Sequence, residues 1–327
     1  MRNYILRRLL YLFPVLLFIS LAVFILLRLV PGDVAEILAG PYASDQQIEQ
    51  LRERFGLDKP VLLATAWPWT GEFWHTQYFE WMGSALQGDL GESIYLSQGV
   101  SAELLDRLPV TAELLILTLI FTLLVGIPIG IVSAVWQNSP IDYLMRVGSI
   151  LGLSVPAFWL ATLAIIIPSL LWAYAPPLGY VAFFDDPWAN LRQFVPPAII
   201  LSATSAAIVM RLARSSLLEV LRNDYIRTAR SKGLRERTVM TRHALKNSLI
   251  PVLTIVSLQI AGLLGGSVII ELVFDLRGVG LMTFLAILQR DYPVVQGVAL
   301  YIAVVFVLVN LTVDVAYAWL DPRIRYS

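Results

Sequence analysis

The sequence predicts an all-α membrane protein with six transmembrane helices. Of its 327 residues, 57% are hydrophobic and only 15% are charged, whereas soluble domains carry about 25% charged residues. Several runs of roughly 20 residues are almost free of charge, and that is the length that spans a bilayer. The chain has no cysteine, which excludes disulfides and zinc–thiolate sites.

Six apolar runs mark the predicted transmembrane helices. They cover residues 9–30, 112–135, 147–174, 195–212, 249–273 and 295–320. Arg2, Arg7 and Arg8 precede the first run as in a signal peptide. That run is longer than a signal h-region and no clear small-x-small cleavage site follows it, so we expect a retained helix. The fourth run is the least apolar, and its small residues ("LSATSAAIV") suit close packing inside a bundle.

Lysine and arginine are distributed unevenly around these runs. Residues 31–111 hold four Lys or Arg against twelve Asp or Glu, whereas residues 211–246 hold ten Lys or Arg. Because basic residues concentrate in cytoplasmic loops, we expect the long loop of residues 31–111 to be outside. Both termini and a segment at residues 219–248 are then cytoplasmic. We interpret the whole chain, residues 1–327, as a single transmembrane domain.

The sequence offers no convincing catalytic or nucleotide-binding site. His75 and His243 fall on opposite sides of the membrane in this topology, so they cannot form one metal site or one triad. The stretch "GLLGGS" (residues 262–267) has no lysine and is not a P-loop. Inside the fifth span its glycines favour close helix approach over a substrate contact. We therefore expect no catalytic residue, no metal site and no cofactor in this chain.

Ionisable residues inside the predicted spans bear on the energy source. An ion-coupled carrier would place such residues in the middle of the membrane. Here Arg28, Glu113, Glu271 and Asp314 lie near span ends, and interface or packing roles explain them better than a proton relay. This counts against an ion-coupled secondary transporter, the alternative from a different class. The absence of a plausible nucleophile–base pair counts against an intramembrane enzyme.

A basic segment, "DYIRTARSKGLRERTVMTRHALKNS" (residues 224–248), separates the fourth and fifth spans. Asn223 and Asp224 favour a helix start, and Gly233 favours a helix stop in the left-handed conformation. A second helix is predicted over residues 235–247. A loop that only sets topology would need a few cations, whereas a short helix with an apolar stripe favours docking on a partner's groove. The predicted stripe consists of Leu218, Leu221, Tyr225 and Ala229.

This segment resembles the cytoplasmic coupling motif, the EAA motif, of ABC importer permeases. That motif has an acidic residue, small residues and a glycine nine positions after the acid, which correspond here to Asp224, Ala229 and Gly233. Many such permeases have Leu-Pro in the second half of the motif, where this chain has Leu245 and Lys246. The form "RHALKN" instead resembles the dipeptide, oligopeptide and nickel permease subfamily.

The resemblance to that subfamily covers the whole chain. The opening "RRLLYLFPVLLFISLAVFILLRLVPGD" and the stretches "GDLGES" and "RLPVTAEL" are similar to it. One departure is "DLRGVG" (residues 275–280), where a proline is expected near Arg277. The ending is also similar, including Asp291, Pro293, Gly297, Asn310, Asp314, Asp321, Pro322 and Arg323.

The resemblance implies a type I ABC importer permease of the bacterial inner membrane. Such a subunit forms half of the translocation pathway for short peptides or a related small solute, with nickel chelates or glutathione-type peptides as alternatives. The implied partners are a second homologous permease subunit, two cytoplasmic ATPase subunits that bind ATP and Mg, an extracytoplasmic substrate-binding protein and membrane lipid, with no nucleic acid. The implied ATPase-coupling residues are Asp224, Tyr225, Arg227, Ala229, Arg230 and Gly233.

Two further groups of residues have more than one interpretation. Four of the nine tryptophans lie within fifteen residues of the outer loop. They suit an interfacial belt, the core of a small cap domain, or a contact surface for the binding protein. Prolines inside spans, such as Pro128 and Pro168, suit either gate hinges or fixed bends. The tryptophans are Trp67, Trp69, Trp74 and Trp81. The candidate pathway or gate residues are Pro156, Gln259, Gly262 and Gly266.

Overall fold

A computed structural model describes residues 2–29, 35–36, 43–54, 57–62, 75–95, 98–174 and 179–320. Within these ranges the regular secondary structure is helical, apart from one isolated antiparallel bridge between Glu92 and Gly99. The prediction of an all-α protein is confirmed for these residues.

The bounds of the helices are as follows. In chain order they are α1 (Arg2–Arg28), α2 (Asp45–Arg54), α3 (Gln77–Leu86), α4 (Val100–Val135), α5 (Pro140–Ser154), α6 (Ala157–Trp172), α7 (Pro187–Leu221), α8 (Asp224–Ser231), α9 (Glu236–Thr238), α10 (Leu245–Ser248), α11 (Ile250–Phe274), α12 (Val279–Gln289) and α13 (Tyr292–Leu320). A π-helical segment, Val239–Ala244, joins α9 to α10.

Local capping signals explain where several helices start. For example, the Asp186 carboxylate accepts the N–H groups of Trp188 and Ala189, and Pro187 occupies the first turn of α7.

Several helices have the length and composition of membrane spans. Among the described residues, three helices are long and apolar enough by themselves: Val100–Val135, Pro187–Leu221 and Tyr292–Thr312. Two bent helix pairs qualify when each pair is counted as one span, which gives up to five spans. α1 contributes a shorter apolar stretch, Phe13–Arg28. The protein is thus a multi-span helical membrane protein, while the count of six and the orientation stay predictions.

The predicted third span, residues 147–174, is not one straight helix. α5 and α6 meet there at an angle of 95°. Val155 is extended (φ −90°, ψ 122°), because the ring of the following proline disfavours a helical conformation for the residue before it. Pro156 therefore ends one helix and precedes the next, whereas Pro128 and Pro168 lie inside α4 and α6. The predicted fifth span bends as well, by 50° between Ile250–Ile260 and Gly262–Phe274.

α4 begins earlier than its apolar run predicts. Its first residue is Val100, which lies within the stretch interpreted as the outer loop, residues 31–111. The first turns of α4 are polar, and Arg107 donates to Glu103 one turn before it, a spacing that stabilises helices. Hydropathy detects apolar turns only, so it does not reveal the polar start of this helix.

The chain divides into two compact units. The larger comprises Leu108–Met282 and Leu308–Ser327, and the smaller comprises Arg2–Arg107 and Thr283–Val307. In the larger unit α7 packs against α5, α6 and α11. The expectation that the mildly polar fourth span is buried in a bundle is met by this helix, because many of its small residues are buried.

Glycines bring two helices close to α7. A Cβ on Gly126 would lie 2.9 Å from the carbonyl oxygen of Ala206, and one on Gly130 would lie 2.7 Å from that of Met210. These two glycines of "GIPIG" are four residues apart in α4, the small-xxx-small spacing that lets helix backbones approach closely. Across α5, a Cβ on Gly152 would lie 3.2 Å from the carbonyl oxygen of Ala203.

The main apolar core of the larger unit joins four helices. Its buried members come from α4, α6, α7 and α11, together with Leu276 just after α11. A second cluster joins α7 to the first half of α11 through Val209, Ala213, Val252 and Val256. The main core consists of Val110, Leu114, Ala161, Phe194, Ala198, Leu201, Leu263, Ile270, Phe274 and Leu276.

The turn after α11 is held by the buried carboxylate of Glu271. It accepts the Thr111 hydroxyl at 2.8 Å and the Leu281 N–H at 2.8 Å. A Cβ on Gly278 would lie 2.5 Å from a carboxylate oxygen of Glu271, so only glycine fits beside it. Glu271 therefore has a packing role, as expected from the sequence. The turn "DLRGVG" forms around this carboxylate without the proline expected near Arg277.

In the smaller unit, α3 packs on α1 through aromatic rings. Phe24 lies 5.2 Å from Tyr78 and 5.8 Å from Trp81, measured between ring centroids. The hydroxyl groups of Ser20 and Tyr78 lie 2.9 Å apart, so they share a hydrogen bond. Arg28 reaches back to the side-chain oxygen of Gln77 at 2.9 Å. These contacts tie α3 to α1.

Candidate functional site

The basic segment between α7 and α11 forms a helical hairpin. Its first arm is α8, which begins after Asn223, a residue with extended backbone (φ −69°, ψ 147°). Asp224 occupies the first turn, where a negative charge is favourable, and the carbonyl oxygen of Asn223 accepts the Ile226 N–H at 3.1 Å. The Asn223 side chain makes no capping hydrogen bond. The helix start predicted at these two residues is confirmed, although the cap is formed by the backbone.

Gly233 ends α8 in the left-handed conformation, with φ of +72°. The Gly233 N–H bonds to the carbonyl oxygen of Arg230 at 2.9 Å, and the Leu234 N–H bonds to that of Ala229 at 3.4 Å. This pair of bonds is the Schellman arrangement, which satisfies carbonyl groups at a helix end. A left-handed residue with a Cβ is strained, so the glycine stop predicted from the sequence is confirmed.

α8 is anchored to its own chain by two buried residues. Ile226 is 0% exposed and Ala229 is 7% exposed, and both belong to a cluster with Leu217 of α7 and Ala134 of α4. Val239 and Ala244 of the π-helical segment complete this cluster. We call these six residues the anchor cluster.

The anchor cluster corrects the predicted apolar stripe in part, because Leu218 and Leu221 do pack against this cluster as Ala229 does. The stripe places Ala229 against a groove of another protein, but its side chain is enclosed by this chain. Tyr225, expected on the same face, is instead 41% exposed. The predicted stripe assumes that helical spacing continues from α7 into α8, and on that assumption Ile226 is left out. The turn at Arg222 and Asn223 interrupts the helix. The residues of α8 therefore face other directions than an unbroken helix would give them.

The second arm of the hairpin is helical but not one regular helix. α9, the π-helical segment and α10 follow each other over residues 236–248, close to the predicted range of 235–247. The side-chain N–H of Asn247 donates to the Tyr225 hydroxyl at 3.0 Å, so the second arm is tied back to the first. π-helical turns are rare and are frequent at functional sites.

The turn between the arms carries an ion pair. Arg230 donates two hydrogen bonds to Glu236, at 2.7 Å and 3.1 Å. The Arg230 guanidinium lowers the pKa of the Glu236 carboxyl, because the hydrogen bonds favour its charged form. Both side chains are about half exposed, and exposed pairs contribute roughly 0–1 kcal/mol. The pair therefore orients the turn more than it stabilises the fold.

The outer surface of the hairpin is basic and exposed. Asp224 and Arg227 form a weak pair at 3.3 Å, with both side chains well exposed. Of the six residues predicted to couple to an ATPase, the structure leaves Asp224, Tyr225, Arg227, Arg230 and Gly233 on the surface and encloses Ala229. The exposed cationic residues of the hairpin are Arg227, Arg230, Lys232, Arg235, Arg237, Arg242 and Lys246.

The residues predicted for a pathway or gate lie apart from the hairpin. Pro156 lies at the 95° break between α5 and α6. Gln259 of α11 has a buried amide whose nitrogen and oxygen make no hydrogen bond within the described residues. Around Gly262 no described heavy atom lies within 4 Å of a Cβ position, whereas Gly266 faces Leu201 at 3.5 Å. Close helix approach is thus not seen at Gly262 in this chain.

The outer tryptophans are described only in part. Trp67, Trp69 and Trp74 lie outside the described residues. Trp81 packs against Phe24 and lies 6.2 Å from Tyr78, which favours the interpretation of Trp81 as part of a small packed region. Within the part of the chain that the structure describes, no group of three His, Asp or Glu side chains could hold a metal ion.

Comparisons with known proteins agree over the whole chain. The family model described as binding-protein-dependent transport system inner membrane component matches residues 126–326, and its N-terminal counterpart matches residues 1–115. The dipeptide transport system permease protein DppB of Alkalihalophilus pseudofirmus is 40% identical over 352 residues, covering 100% of both chains. The glutathione transport system permease protein GsiC of Salmonella typhimurium is 39% identical over 327 residues, again covering 100% of both.

Two further similarities complete the comparison. A candidate peptide transport system permease protein of Brucella abortus (strain 2308) is 42% identical over 323 residues, covering 99% of both chains. Among solved structures, an amino acid ABC transporter with histidines is similar at a TM-score of 0.49 and 15% identity, covering 68% of this chain and 94% of that chain.

Proposed function

Because the chain belongs to the family of binding-protein-dependent transport system inner membrane components, we propose that it is a permease subunit of an ATP-driven ABC importer for short peptides. The observation that carries this proposal is its similarity, from end to end, to proteins named as peptide, dipeptide and glutathione transport permeases. In this function the chain forms half of a translocation pathway in the bacterial inner membrane. A second permease subunit forms the other half.

The helical hairpin is the surface that binds an ATPase subunit. The hairpin is helical, its first arm is capped at Gly233, and its inner side packs in the anchor cluster. It therefore presents a defined shape to a partner. Its exposed residues Asp224, Tyr225 and Arg227 lie on the first arm, where a groove of the partner can enclose them. An acidic or polar groove suits the cationic side chains of both arms, because opposite charges across an interface fix the register of binding.

Separate ATPase subunits supply the energy, since ATP and Mg bind to them and not to this chain. Conformational change in a bound ATPase moves the hairpin, and the anchor cluster passes this movement to α7. An extracytoplasmic binding protein delivers the substrate to the outer face of the two permease subunits. The chain itself catalyses no covalent step.

Glutathione is a second candidate substrate, and it belongs to the same chemical class as the first because it is a tripeptide. The similarity to GsiC over the full length of both chains supports it. Nickel chelates stay a third alternative from the resemblance of the sequence. Purification of the intact assembly followed by mass spectrometry of the ligand that copurifies distinguishes these three.

The function is tested by uptake in cells that carry the chain with its partner subunits. We expect accumulation of a radiolabelled dipeptide or of glutathione that is lost when the ATPase subunits carry a P-loop lysine substitution, and that survives collapse of the proton gradient. Uptake that needs the proton gradient but no ATPase would overturn the proposal in favour of an ion-coupled carrier. The chain expressed alone should neither hydrolyse ATP nor accumulate substrate.

A further inference from the structure

A buried ion pair lies in the larger unit, next to the anchor cluster. Asp142 of α5 is 0% exposed, and its carboxylate accepts two hydrogen bonds from Arg214 of α7, at 2.9 Å and 2.8 Å. It also accepts the Ser133 hydroxyl of α4 and, at 3.0 Å, the backbone N–H of Asn138. The carboxylate is thus held by four donors, which come from α4, α7 and the turn before α5.

This arrangement specifies geometry more than it adds stability. A buried ion pair is often no more stabilising than apolar residues of similar volume, because both charges lose their hydration. The pair instead fixes the orientation of α5 relative to α7. A guanidinium that donates two parallel hydrogen bonds to a carboxylate sets the angle between the two groups. Ser133 adds a third helix to the same point, because its oxygen also accepts from Arg214 at 3.1 Å.

The ion pair and the anchor cluster are neighbours on two helices. Ser133 precedes Ala134 in α4, and Ala134 belongs to the anchor cluster. Arg214 and Leu217 are three residues apart in α7, so they lie on the same side of that helix, and Leu217 is in the cluster as well. The anchor cluster, which encloses Ile226 and Ala229 of α8, therefore lies within one helical turn of the ion pair along both α4 and α7.

The helix that holds Asp142 in its first turn leads to the 95° break between α5 and α6. α5 runs from Pro140 to Ser154, packs on α7 through Gly152, and is followed by the 95° break to α6. Because only Val155 and Pro156 separate the two helices, we expect a rotation of the first turn of α5 relative to α7 to change the direction of α6. The groups that fix this base are Ser133, Asn138, Asp142 and Arg214.

We propose that Ser133, Asp142 and Arg214 form a rigid joint through which movement of α8 is passed to α5 and α6. They act as positioning residues and touch neither substrate nor nucleotide. The proposal rests on the proposed function of the hairpin as the ATPase-binding surface. It adds that the bent pair α5 and α6 is the moving part on the membrane side, and that its link to the hairpin is polar.

The rigidity of the joint can be measured in the chain by itself. The chain has no cysteine, so Ser231→Cys in α8 and Leu144→Cys in α5, both exposed, give one defined pair of spin labels. We expect a single narrow distance in detergent. Arg214→Gln should broaden the distance distribution, so that the narrow peak is lost. Arg214→Lys keeps the positive charge but cannot donate the two parallel hydrogen bonds of a guanidinium, so it should give a distribution of intermediate width. Ser133→Ala serves as a milder variant if Arg214→Gln does not fold.

A matched control is available on the same helix. Arg211 lies three residues before Arg214 in α7 and is exposed, so Arg211→Gln removes the same charge without touching the joint. This control should leave the narrow distance unchanged. Equal widths of the distance distribution for Arg211→Gln and Arg214→Gln would overturn the proposal. A lower melting temperature of Arg214→Gln with no change in this width would also overturn it, because that result indicates a role in stability alone.

The transmission is then measured in the assembled transporter with labels on Ser231→Cys and on Phe158→Cys of α6. Addition of ATP should shift the population between two distances, and Arg214→Gln should reduce that shift by roughly 2- to 30-fold, the range that such couplings span. An unchanged shift would overturn the proposal. Failure of the chain to bind ATPase subunits would count against the function of the hairpin instead, and the measurement on the isolated chain keeps the two failures distinct.

Discussion

At the scale of single residues, Gly233 is defined by its backbone. Its φ of +72° suits glycine, and no described heavy atom lies within 4 Å of a Cβ placed there. The need for glycine is therefore conformational and not steric. The sequence could predict this residue because a helix stop is a local signal.

We expect Gly233→Val to destabilise the hairpin by about 1 kcal/mol or more, because a β-branched residue is strained in the left-handed region. Gly233→Asn should cost less, since asparagine tolerates that region better than other residues. Melting temperatures and the amount of ATPase that copurifies measure the two effects. Equal losses for Val and Asn would contradict a conformational cause.

Substitutions at Ala229 and Arg227 distinguish an effect on folding from an effect on ATPase binding. Ala229 is enclosed in the anchor cluster, so Ala229→Glu buries a charge at a cost of several kcal/mol and should lower the amount of folded chain in the membrane. The Arg227 side chain is 73% exposed, so Arg227→Glu should leave the melting temperature unchanged and reduce retention of ATPase subunits.

Membrane levels, melting temperature and copurification distinguish these outcomes. An Ala229→Glu chain with normal stability would contradict the burial of that residue. An Arg227→Glu chain with full ATPase retention would remove Arg227 from the docking surface.

At the scale of helices, the crossing of α4 and α7 depends on Gly126 and Gly130. A methyl group on Gly130 would lie 2.7 Å from a backbone oxygen of α7 and 2.8 Å from the Cβ of Ala213. Gly130→Ala should therefore force the helices apart and cost about 1–3 kcal/mol, as overpacking does. Gly148 in α5 has open space around it, so Gly148→Ala should be neutral or slightly stabilising. Thermal unfolding in detergent compares the two, and equal effects would contradict the close crossing.

Which helical features could be predicted depends on how local their causes are. The start of α8, its glycine stop and the burial of α7 follow from residues a few positions apart, so the sequence predicts them. The burial of Ile226 and the exposure of Tyr225 in α8 could not be predicted, because helical phase does not continue through the turn at Arg222 and Asn223. The joint of Asp142 and Arg214 could not be predicted either, since the two residues are 72 positions apart and only the tertiary fold brings them together.

At the scale of the whole molecule, topology is the central prediction. The distribution of Lys and Arg places Gly233 and both termini in the cytoplasm and Trp74 outside. Single cysteines at positions 231, an exposed site two residues before Gly233, and 74 of this cysteine-free chain test this with an impermeant thiol reagent. We expect labelling at position 74 and not at position 231 in intact cells. Labelling of position 231 from outside would contradict the topology and with it the docking of a cytoplasmic ATPase.

The π-helical segment Val239–Ala244 has a consequence for how related sequences can differ. A π-helical turn results when one extra residue is accommodated in an α-helical path. Deletion of one residue there would restore regular α-helix and rotate α9 relative to α11 by about 100°. The anchor cluster would then lose Val239 or Ala244. Over evolutionary time, insertions and deletions at this point should be rarer than substitutions, because a change in length re-aims the hairpin whereas a change in side chain does not.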